Sequence, residues 1–388
     1  SFDPPRNETA VGKDVMRDTD ESGWRLPYER YPFATCELGS GLQVTHHRRP
    51  IVSALDAYAL SLVKLGCGNN LIGYYMYHGG TNRIGRLSTL QESIATGYPN
   101  DVPVLNYDFQ TCLSQYGEAR EQYGMLNTLH LFAEDFGHVL APMEHVCAET
   151  FVPCTDTTNL RCALRTDGKS GFVFVCHHQR GLQLEDVRGA VIHALDVTLP
   201  PIDVCGDTCF FLPVHMDLEH VHLRCATAQP LCRAGNTFFF AAIDGITPQY
   251  IFDTPGGERI VTAQPGLCSG FDMDGIRIVT LAFDQARFLR RLNGEIVLGD
   301  GCNLYAPGGE IAAIEDGSLS YFRYADGCFV PMHVHRDFHA AQLALEPVSE
   351  PFTPPYDEEL NLGGARARTW YRLHVSTGEG FVTIPGQY

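Results

Sequence analysis

The chain has 388 residues, of which 44% are hydrophobic and 19% charged, a composition typical of a globular protein with about two or three domains. Its 46 acidic residues outnumber 28 basic ones and give a formal net charge of -18. With no basic stripe in the sequence, we expect no nucleic-acid partner. The apolar runs are short and residues 1–20 are polar, so we expect neither a membrane span nor a signal peptide, and the start has the look of a processed or cut chain.

The first regular pattern is a strand, a helix and a second strand. Residues 31–36 form a short apolar run that ends on Glu37. Residues 51–65 are rich in Ala, Leu and Val, with Pro50 at the first turn and Gly66 at the end, which predicts a helix. Residues 71–77 are almost continuously apolar, which favours a strand buried on both faces. Together they predict a parallel crossover unit, and in a barrel of such units catalytic groups lie where the strands end.

The next segment contains a long polar connection and a helix. Residues 79–106 form a long polar connection, and a loop of this length in a compact domain usually has a function. We therefore expect a functional role for it. Apolar positions at helical spacing predict a helix over 120–136, capped by Gly137.

After about residue 150 the pattern changes to short runs of Val, Ile and Phe separated by Gly, Pro and Asp. This spacing predicts antiparallel strands, and only residues 285–292 favour a helix. The predicted strands cover residues 171–176, 190–199, 209–214, 220–226, 237–243 and 276–283. The fold class is therefore α/β followed by all-β, with predicted domains at 1–150, 151–256 and 257–388.

One stretch carries a family resemblance. Tyr75-Met76-Tyr77-His78-Gly79-Gly80-Thr81-Asn82, followed by Asn106-Tyr107-Asp108-Phe109 and Tyr116-Gly117, resembles the signature of family 35 glycoside hydrolases, the retaining β-galactosidases. The resemblance runs from about residue 31 to 137. It continues more loosely from 158 to 253, where Cys176-His177-His178-Gln179-Arg180 and Ala226-Thr227-Ala228-Gln229-Pro230 are similar to bacterial members.

The resemblance implies a fold and an activity. The fold would be the C-terminal portion of a (β/α)8 TIM barrel followed by antiparallel, jelly-roll-like β-sandwich domains. The activity would be removal of terminal non-reducing β-D-galactose from a β-galactoside oligosaccharide or glycan, without metal or organic cofactor. By position, Glu37 would be the nucleophile, and Tyr75 and Tyr107 would bind the sugar. Phe109 stands where the family usually has a second tyrosine, and a phenylalanine cannot donate that hydrogen bond.

Alternatives to this interpretation remain open. Glu37 read from its spacing alone suits a rim carboxylate in a salt bridge with Arg48 or Arg49. The family's acid/base glutamate should follow an asparagine upstream of Glu37, and the Asn7-Glu8 pair lacks the apolar run that would precede it. We therefore expect an N-terminal barrel segment or chain as partner. A non-catalytic carbohydrate-binding or structural protein with a barrel remnant is the rival function.

Cysteines and histidines carry weaker signals. The 14 cysteines are irregularly spaced, which suits either disulfides or buried free thiols, and the first reading places the protein in a secreted, periplasmic or lumenal compartment. His333, His335 and His339 lack regular ligand spacing and are expected to face solvent on an edge strand. Asp272-Met273-Asp274-Gly275 is expected to form a turn rather than a calcium loop. Residues from about 158 onward are expected to be structural, without a metal.

Overall fold

The computed structural model of the chain describes residues 31–44, 49–82, 105–150, 152–299, 304–306, 309–313, 317–336, 346–347 and 371–372. These residues are mostly β-structure with few helices, as the all-β part of the predicted fold class requires. The first part contains β1 (Phe33–Leu38), α1 (Ala54–Gly66), β2 (Asn69–Tyr74), β3 (Gly80–Thr81), β4 (Asn106–Tyr107) and α2 (Glu121–Leu140). The strands that follow are β5 (Glu144–Cys147), β6 (Arg161–Thr166), β7 (Gly171–His177), β8 (Val187–Ala190), β9 (His193–Ala194), β10 (Val197–Thr198), β11 (Ile202–Val204), β12 (Thr208–Leu218), β13 (Val221–Ala226), β14 (Gln229–Ala234), β15 (Thr237–Ala241), β16 (Gln249–Thr254), β17 (Gly257–Thr262), β18 (Phe271–Met273) and β19 (Ile276–Leu281). The last part contains α3 (Phe283–Ala286), β20 (Leu289–Leu292), β21 (Glu295–Gly299), β22 (Leu304–Tyr305), β23 (Ala312–Ala313), β24 (Gly317–Ala325), β25 (Cys328–Arg336), β26 (Glu346–Pro347) and β27 (Tyr371–Arg372).

The predicted strand–helix–strand unit is confirmed. Strands β1 and β2 pair in parallel, and α1 connects them. The helix begins after a capping box, in which the Ser53 side chain accepts from the Asp56 amide and the Asp56 carboxylate accepts from the Ser53 amide. This cap moves the helix start to Ala54, a few residues beyond the predicted one. Gly68, with φ +94, follows the helix end.

The expectation of a second strand buried on both faces is wrong. Strand β2 ends at Tyr74, and Leu71 within it is 58% exposed. A parallel strand is buried on both faces only inside a sheet that other elements cover on both sides. In the described residues the sheet that contains β2 has just one other strand, β1.

Three larger sheets form the β half. A seven-stranded sheet runs in the order β17-β16-β13-β12-β7-β6-β5, with antiparallel neighbours throughout. A four-stranded sheet has the order β14-β15-β19-β18, and its β15 and β19 pair in parallel. Another four-stranded sheet has the order β20-β21-β24-β25. The predicted strands of this half all fall on observed strands, although residues 190–199 divide among three short ones.

Two helix predictions fail for local reasons. Residues 285–292 do not form one helix, because α3 ends at Ala286 and Leu289–Leu292 is strand β20. Asn293 and Gly294 both have positive φ and close a tight hairpin to β21, a turn signal that outweighs the short helical pattern. Helix α2 continues through Gly137 to Leu140, so this glycine is not its cap.

Helices α1 and α2 share one core with the seven-stranded sheet. Buried residues of both helices, including Tyr58 and Phe132, belong to the same cluster as sheet residues Phe172 and Phe211. The Phe132 ring lies 5.1 Å from that of Phe172 and 4.5 Å from that of Phe211, both edge-on. The strand–helix part of the chain, from β1 to α2, therefore packs against the seven-stranded sheet of the β half.

The predicted division at 256 falls within a hairpin. Strands β16 and β17 pair in continuous register from Gln249 opposite Thr262 to Thr254 opposite Gly257. The residues on either side of this position thus belong to one sheet.

No two described cysteines lie at disulfide-bonding distance. His333 and His335 are exposed on edge strand β25, as predicted, while His339 lies outside the described residues. Asp274 and Gly275 form the predicted turn, between β18 and β19. Among the described helices, none has the length and hydropathy to cross a membrane.

Candidate active site

Glu37 lies near the carboxyl end of β1, beside the end of β2. Leu38 pairs with Tyr74, and the Tyr75 amide donates to the Leu38 carbonyl at 2.9 Å. Glu37 and Tyr75 therefore occupy the same end of the parallel pair. The Glu37 side chain is exposed, and Arg48, one of its two possible salt-bridge partners, lies outside the described residues.

Three aromatic side chains form a cluster at this end. The hydroxyls of Tyr75 and Tyr107 hydrogen-bond to each other. The Phe109 ring lies 4.4 Å from the Tyr107 ring and 6.0 Å, edge-on, from the Tyr75 ring. Phe109 thus packs against both tyrosines at the position where the family resemblance would place a second phenol. The Tyr75 hydroxyl bonds to Tyr107 and not to Glu37.

The two halves of the signature, 75–82 and 106–117, meet in space. Gly80 pairs with Tyr107 and Thr81 with Asn106 in the short ladder β3–β4. The side-chain amide of Gln115 donates to the Thr81 hydroxyl. Residues 83–104, the long connection between these halves, lie outside the described residues, so its predicted functional role stays a prediction.

Asp108 holds the turn after β4. Its carboxylate accepts from the Gln115 amide at 2.7 Å and from Arg120 Nη2 at 2.6 Å. A Cβ on Gly79 would lie 2.7 Å from the Gln115 nitrogen and 2.9 Å from Asp108 Oδ1. The glycine in the signature therefore permits close contact between the two halves.

Gln110 connects this turn to the loop that follows β1. Its Nε2 donates to the Pro50 carbonyl at 2.8 Å, and its Oε1 accepts from the Val52 amide at 3.3 Å. Phe109 and Gln110 have φ of 58 and 56, a region that costs free energy for residues other than glycine. A Cβ on Gly41 would lie 2.2 Å from the Phe109 carbonyl oxygen. The turn thus fixes the loop immediately after Glu37.

Two further tyrosines, Tyr74 beside the signature and Tyr77 within it, are structural. Tyr74 and Tyr77 pack against His130 of α2, and the Tyr74 hydroxyl lies 3.1 Å from His130 Nε2. Burial raises the pKa of Tyr74 to about 12, and burial also raises the pKa of Tyr77. Both phenols are therefore neutral at ordinary pH, as expected of aromatic groups packed at the core.

The sequence predicts roles for Glu37, Tyr75 and Tyr107, which stay predictions, but it indicates no role for the residues that hold them in place. Asp108 and Arg120 form an ion pair between a turn and a helix start, and no short spacing pattern indicates such a pair. A cavity of about 490 Å³ lies between Gly41, Lys64 and Arg180, and neither Glu37 nor Tyr75 lines it. The candidate carboxylate faces open surface instead.

No model of a known protein family matches this chain, and no curated protein matches it.

Proposed function

We propose that this chain carries the nucleophile half of a retaining β-galactosidase active site of the family 35 type. The observation that supports this most directly is the placement of Glu37 and Tyr75 at the same end of two parallel strands joined by a helix. In a (β/α)8 barrel this end of the strands holds the catalytic groups. The pairing of β3 with β4 and the hydrogen bond between the Tyr107 and Tyr75 hydroxyls support the proposal that both tyrosines contact one sugar.

The proposed chemistry is a double displacement. A Glu37 carboxylate oxygen attacks the anomeric carbon while a second carboxylic acid protonates the departing glycosidic oxygen, and the aglycone leaves. That second group then takes a proton from water, which attacks the galactosyl ester and releases galactose and the Glu37 carboxylate. Tyr75 and Tyr107 offer hydroxyls to the sugar, and the Phe109 ring supports their orientation.

The second carboxylate would lie roughly 5–5.5 Å from Glu37 in a retaining enzyme. We propose that a further barrel segment, outside the described residues or on another chain, brings this group. Strands β1 and β2 have no other partner strand in the described residues, and Leu71 on β2 is exposed. Such an open apolar edge suits additional strands. An isolated chain without that segment would turn over slowly, because general acid catalysis contributes about a hundredfold to ten-thousandfold.

A fluorinated galactoside with a good leaving group tests the assignment, because it needs little acid assistance. We expect the complete enzyme to gain the mass of the fluorosugar on the peptide that contains Glu37, and Glu37→Gln to gain none. Tyr116→Phe, which alters a phenol that is 76% exposed and outside the aromatic cluster, serves as the control and should be labelled normally. Labelling of a different peptide, such as the one bearing Glu92, would show that Glu37 is not the nucleophile.

A carbohydrate-binding protein without catalysis is the second candidate. The observation that favours it is the Tyr75 hydroxyl, which bonds to Tyr107 rather than to the carboxylate it would need to orient. This alternative predicts galactoside binding that Tyr107→Ala weakens and Glu37→Gln leaves unchanged, with no labelling in the trapping experiment.

A further inference from the structure

A cluster of histidines and carboxylates lies on the seven-stranded sheet, in a part of the chain that the proposed active site does not use. Its inner members are His215 on β12, His222 on β13 and Asp253 on β16, three adjacent strands. His222 lies directly opposite Asp253 in the ladder, and Asp217 lies opposite His222 on the other side.

The inner atoms of this cluster converge. His215 Nδ1 lies 2.9 Å from His222 Nε2, and His222 Nε2 lies 3.8 Å from Asp253 Oδ2. One ligand atom from each of the three residues falls within 4.8 Å of the others. These separations are close to those between neighbouring ligands of a four-coordinate zinc ion, which binds nitrogen and oxygen at about 2.0–2.2 Å.

The outer ring nitrogens, His215 Nε2 and His222 Nδ1, point away from the cluster centre and each faces a carboxylate. His215 Nε2 lies 2.6 Å from Asp196 Oδ1, and His222 Nδ1 lies 2.6 Å from Asp217 Oδ1. Because an ionised carboxylate only accepts hydrogen bonds, each of these outer nitrogens must donate its hydrogen. The two inner nitrogens, His215 Nδ1 and His222 Nε2, are then left facing each other, and a metal ion or a shared proton between them would accept both lone pairs.

The backbone adapts to bring these rings together. His215 has φ +50, in the left-handed region. Val214 and Met216, which would share a face in a regular strand, belong to different core clusters, so side-chain alternation breaks at His215. A register shift in the neighbouring ladder falls between Leu223 and Cys225. Both irregularities adjoin the cluster.

One carboxylate oxygen of Asp253 faces the histidines, and the other faces Arg224. Arg224 Nη1 lies 3.4 Å from Asp253 Oδ1, while Oδ2 faces His222. The arginine opposes a cation but also orients the carboxylate. Asp196 comes from the turn between β9 and β10, so the cluster ties that hairpin to the sheet.

We propose that His215, His222 and Asp253 bind a zinc-type divalent transition metal ion, with Asp196 and Asp217 orienting the two imidazoles. Carboxylates that accept the second N–H of metal-bound histidines are a regular feature of such sites. Two imidazoles and one carboxylate suit zinc better than magnesium or calcium, which prefer oxygen ligands alone. A metal ion here would contradict the expectation from the sequence that this half of the chain binds none, and the proposed hydrolase activity does not need it.

Metal titration of the chelator-treated protein tests the site. We expect one equivalent of Co²⁺ to give visible ligand-field bands without a thiolate charge-transfer band, and Zn²⁺ to displace it. Both His222→Gln and Asp253→Asn should abolish these bands, while circular dichroism shows a folded protein. Asp217→Asn should weaken Zn²⁺ binding by about 10–100-fold. A His333→Gln/His335→Gln double variant removes an exposed, alternating histidine pair and should change nothing.

Three results would overturn the proposal. The first is a thiolate band, which would place the metal on cysteines. The second is Co²⁺ binding that survives both His222→Gln and Asp253→Asn. The third is absence of stoichiometric binding together with an imidazole-to-imidazole proton seen by nuclear magnetic resonance, which would mean that a proton alone occupies the space between the rings.

Discussion

Single atoms decide which residues the candidate active site tolerates. An added Cβ at Gly41 or Gly79 would meet backbone atoms at short distance. An added Cβ at Gly80, the residue after Gly79, would meet only the Tyr107 Cβ, at 4.0 Å. The two glycines of the Gly79-Gly80 pair therefore have different roles, although they look equivalent in the sequence. Phe109 is another such residue, because its ring packs against Tyr75 and Tyr107 in the place of a hydrogen-bond donor.

We expect Gly79→Ala to destabilise the protein by about 1–3 kcal/mol, because the Cβ would push against the Gln115 amide and the Asp108 carboxylate. Gly80→Ala is the matched control, because its added Cβ would make only an ordinary contact, 4.0 Å from the Tyr107 Cβ. Urea denaturation of the two variants checks this. Equal midpoints for Gly79→Ala and Gly80→Ala would contradict the close approach of the two signature halves.

At the scale of elements, helix α1 is held at both ends by the β half. His178 Nε2 lies 2.8 Å from Asp56 in the capping box, and Arg180 donates to the Ile51 carbonyl at 2.7 Å. The buried Tyr58 hydroxyl hydrogen-bonds to Gln229. The two looser motifs of the family resemblance, 176–180 and 226–230, thus contact this helix, which gives them a structural role.

Arg165 binds the carboxyl ends of α1 and α2. Its guanidinium is fully buried and donates to the carbonyls of Leu65, Leu140 and Met143, at the ends of α1 and α2. Burial lowers the pKa of Arg165 to about 10, so it remains charged at neutral pH. The charge lies at the carboxyl ends of both helices, where a cation is favourable.

Arg165→Met should lower the free energy of unfolding by at least about 3 kcal/mol, because several buried carbonyls would lose their donor. Thermal unfolding followed by circular dichroism measures this. Arg188→Met, which changes an exposed arginine in a surface ion pair, should leave the melting temperature unchanged. A similar small effect for both variants would mean that water replaces the Arg165 guanidinium.

The Asp56 carboxylate makes the stability of the folded protein depend on pH. Burial raises its pKa, but hydrogen bonds from His178 and Ser53 lower it by more, so the folded pKa lies below the ordinary 3.8. A carboxyl group with a lowered folded pKa stabilises the protein above its unfolded pKa, and this stabilisation disappears as the pH falls through the folded pKa.

We therefore expect Asp56→Asn to cost about 1 kcal/mol at neutral pH, the typical contribution of a helix cap with a favourable charge. The difference from the wild type should shrink as the pH falls below 3.8. Urea denaturation across a pH series gives both quantities. Asp284→Asn, at the exposed first turn of α3, is the control, and a constant difference for Asp56→Asn at every pH would contradict the assignment.

At the scale of the molecule, the strand–helix part and the β half have one core. Phe132 of α2 is fully buried, and its neighbours are Phe172 and Phe211 of the seven-stranded sheet. Strand β5, before residue 150, is itself the last strand of that sheet. A division of the chain at residue 150 would expose apolar surface on both sides.

A fragment of residues 31–150 should therefore fail to fold on its own, with no cooperative thermal transition. Added residues 152–299 should restore helical circular dichroism, because they cover the exposed faces of α1 and α2. The same fragments carrying Phe132→Asp provide the control, which should not associate. A sharp independent transition of the 31–150 fragment would support the separate domain predicted from the sequence.

Local spacing was sufficient to identify β1, α1, β2 and most strands of the β half, because periodicity, caps and glycine turns act over a few residues. The family-like motif also predicts roles for Tyr75 and Tyr107, and for Glu37 by its position before the motif, and these roles stay predictions. The helix predicted at 285–292 failed where a neighbouring hairpin competed with the local preference. Contacts between distant residues followed only from packing: Arg165 at two helix ends, His178 on Asp56, and His215 beside His222 and Asp253. These residues are separated along the chain by unrelated segments, and they meet because burying the apolar faces of α1, α2 and the sheet fixes where every other side chain lies.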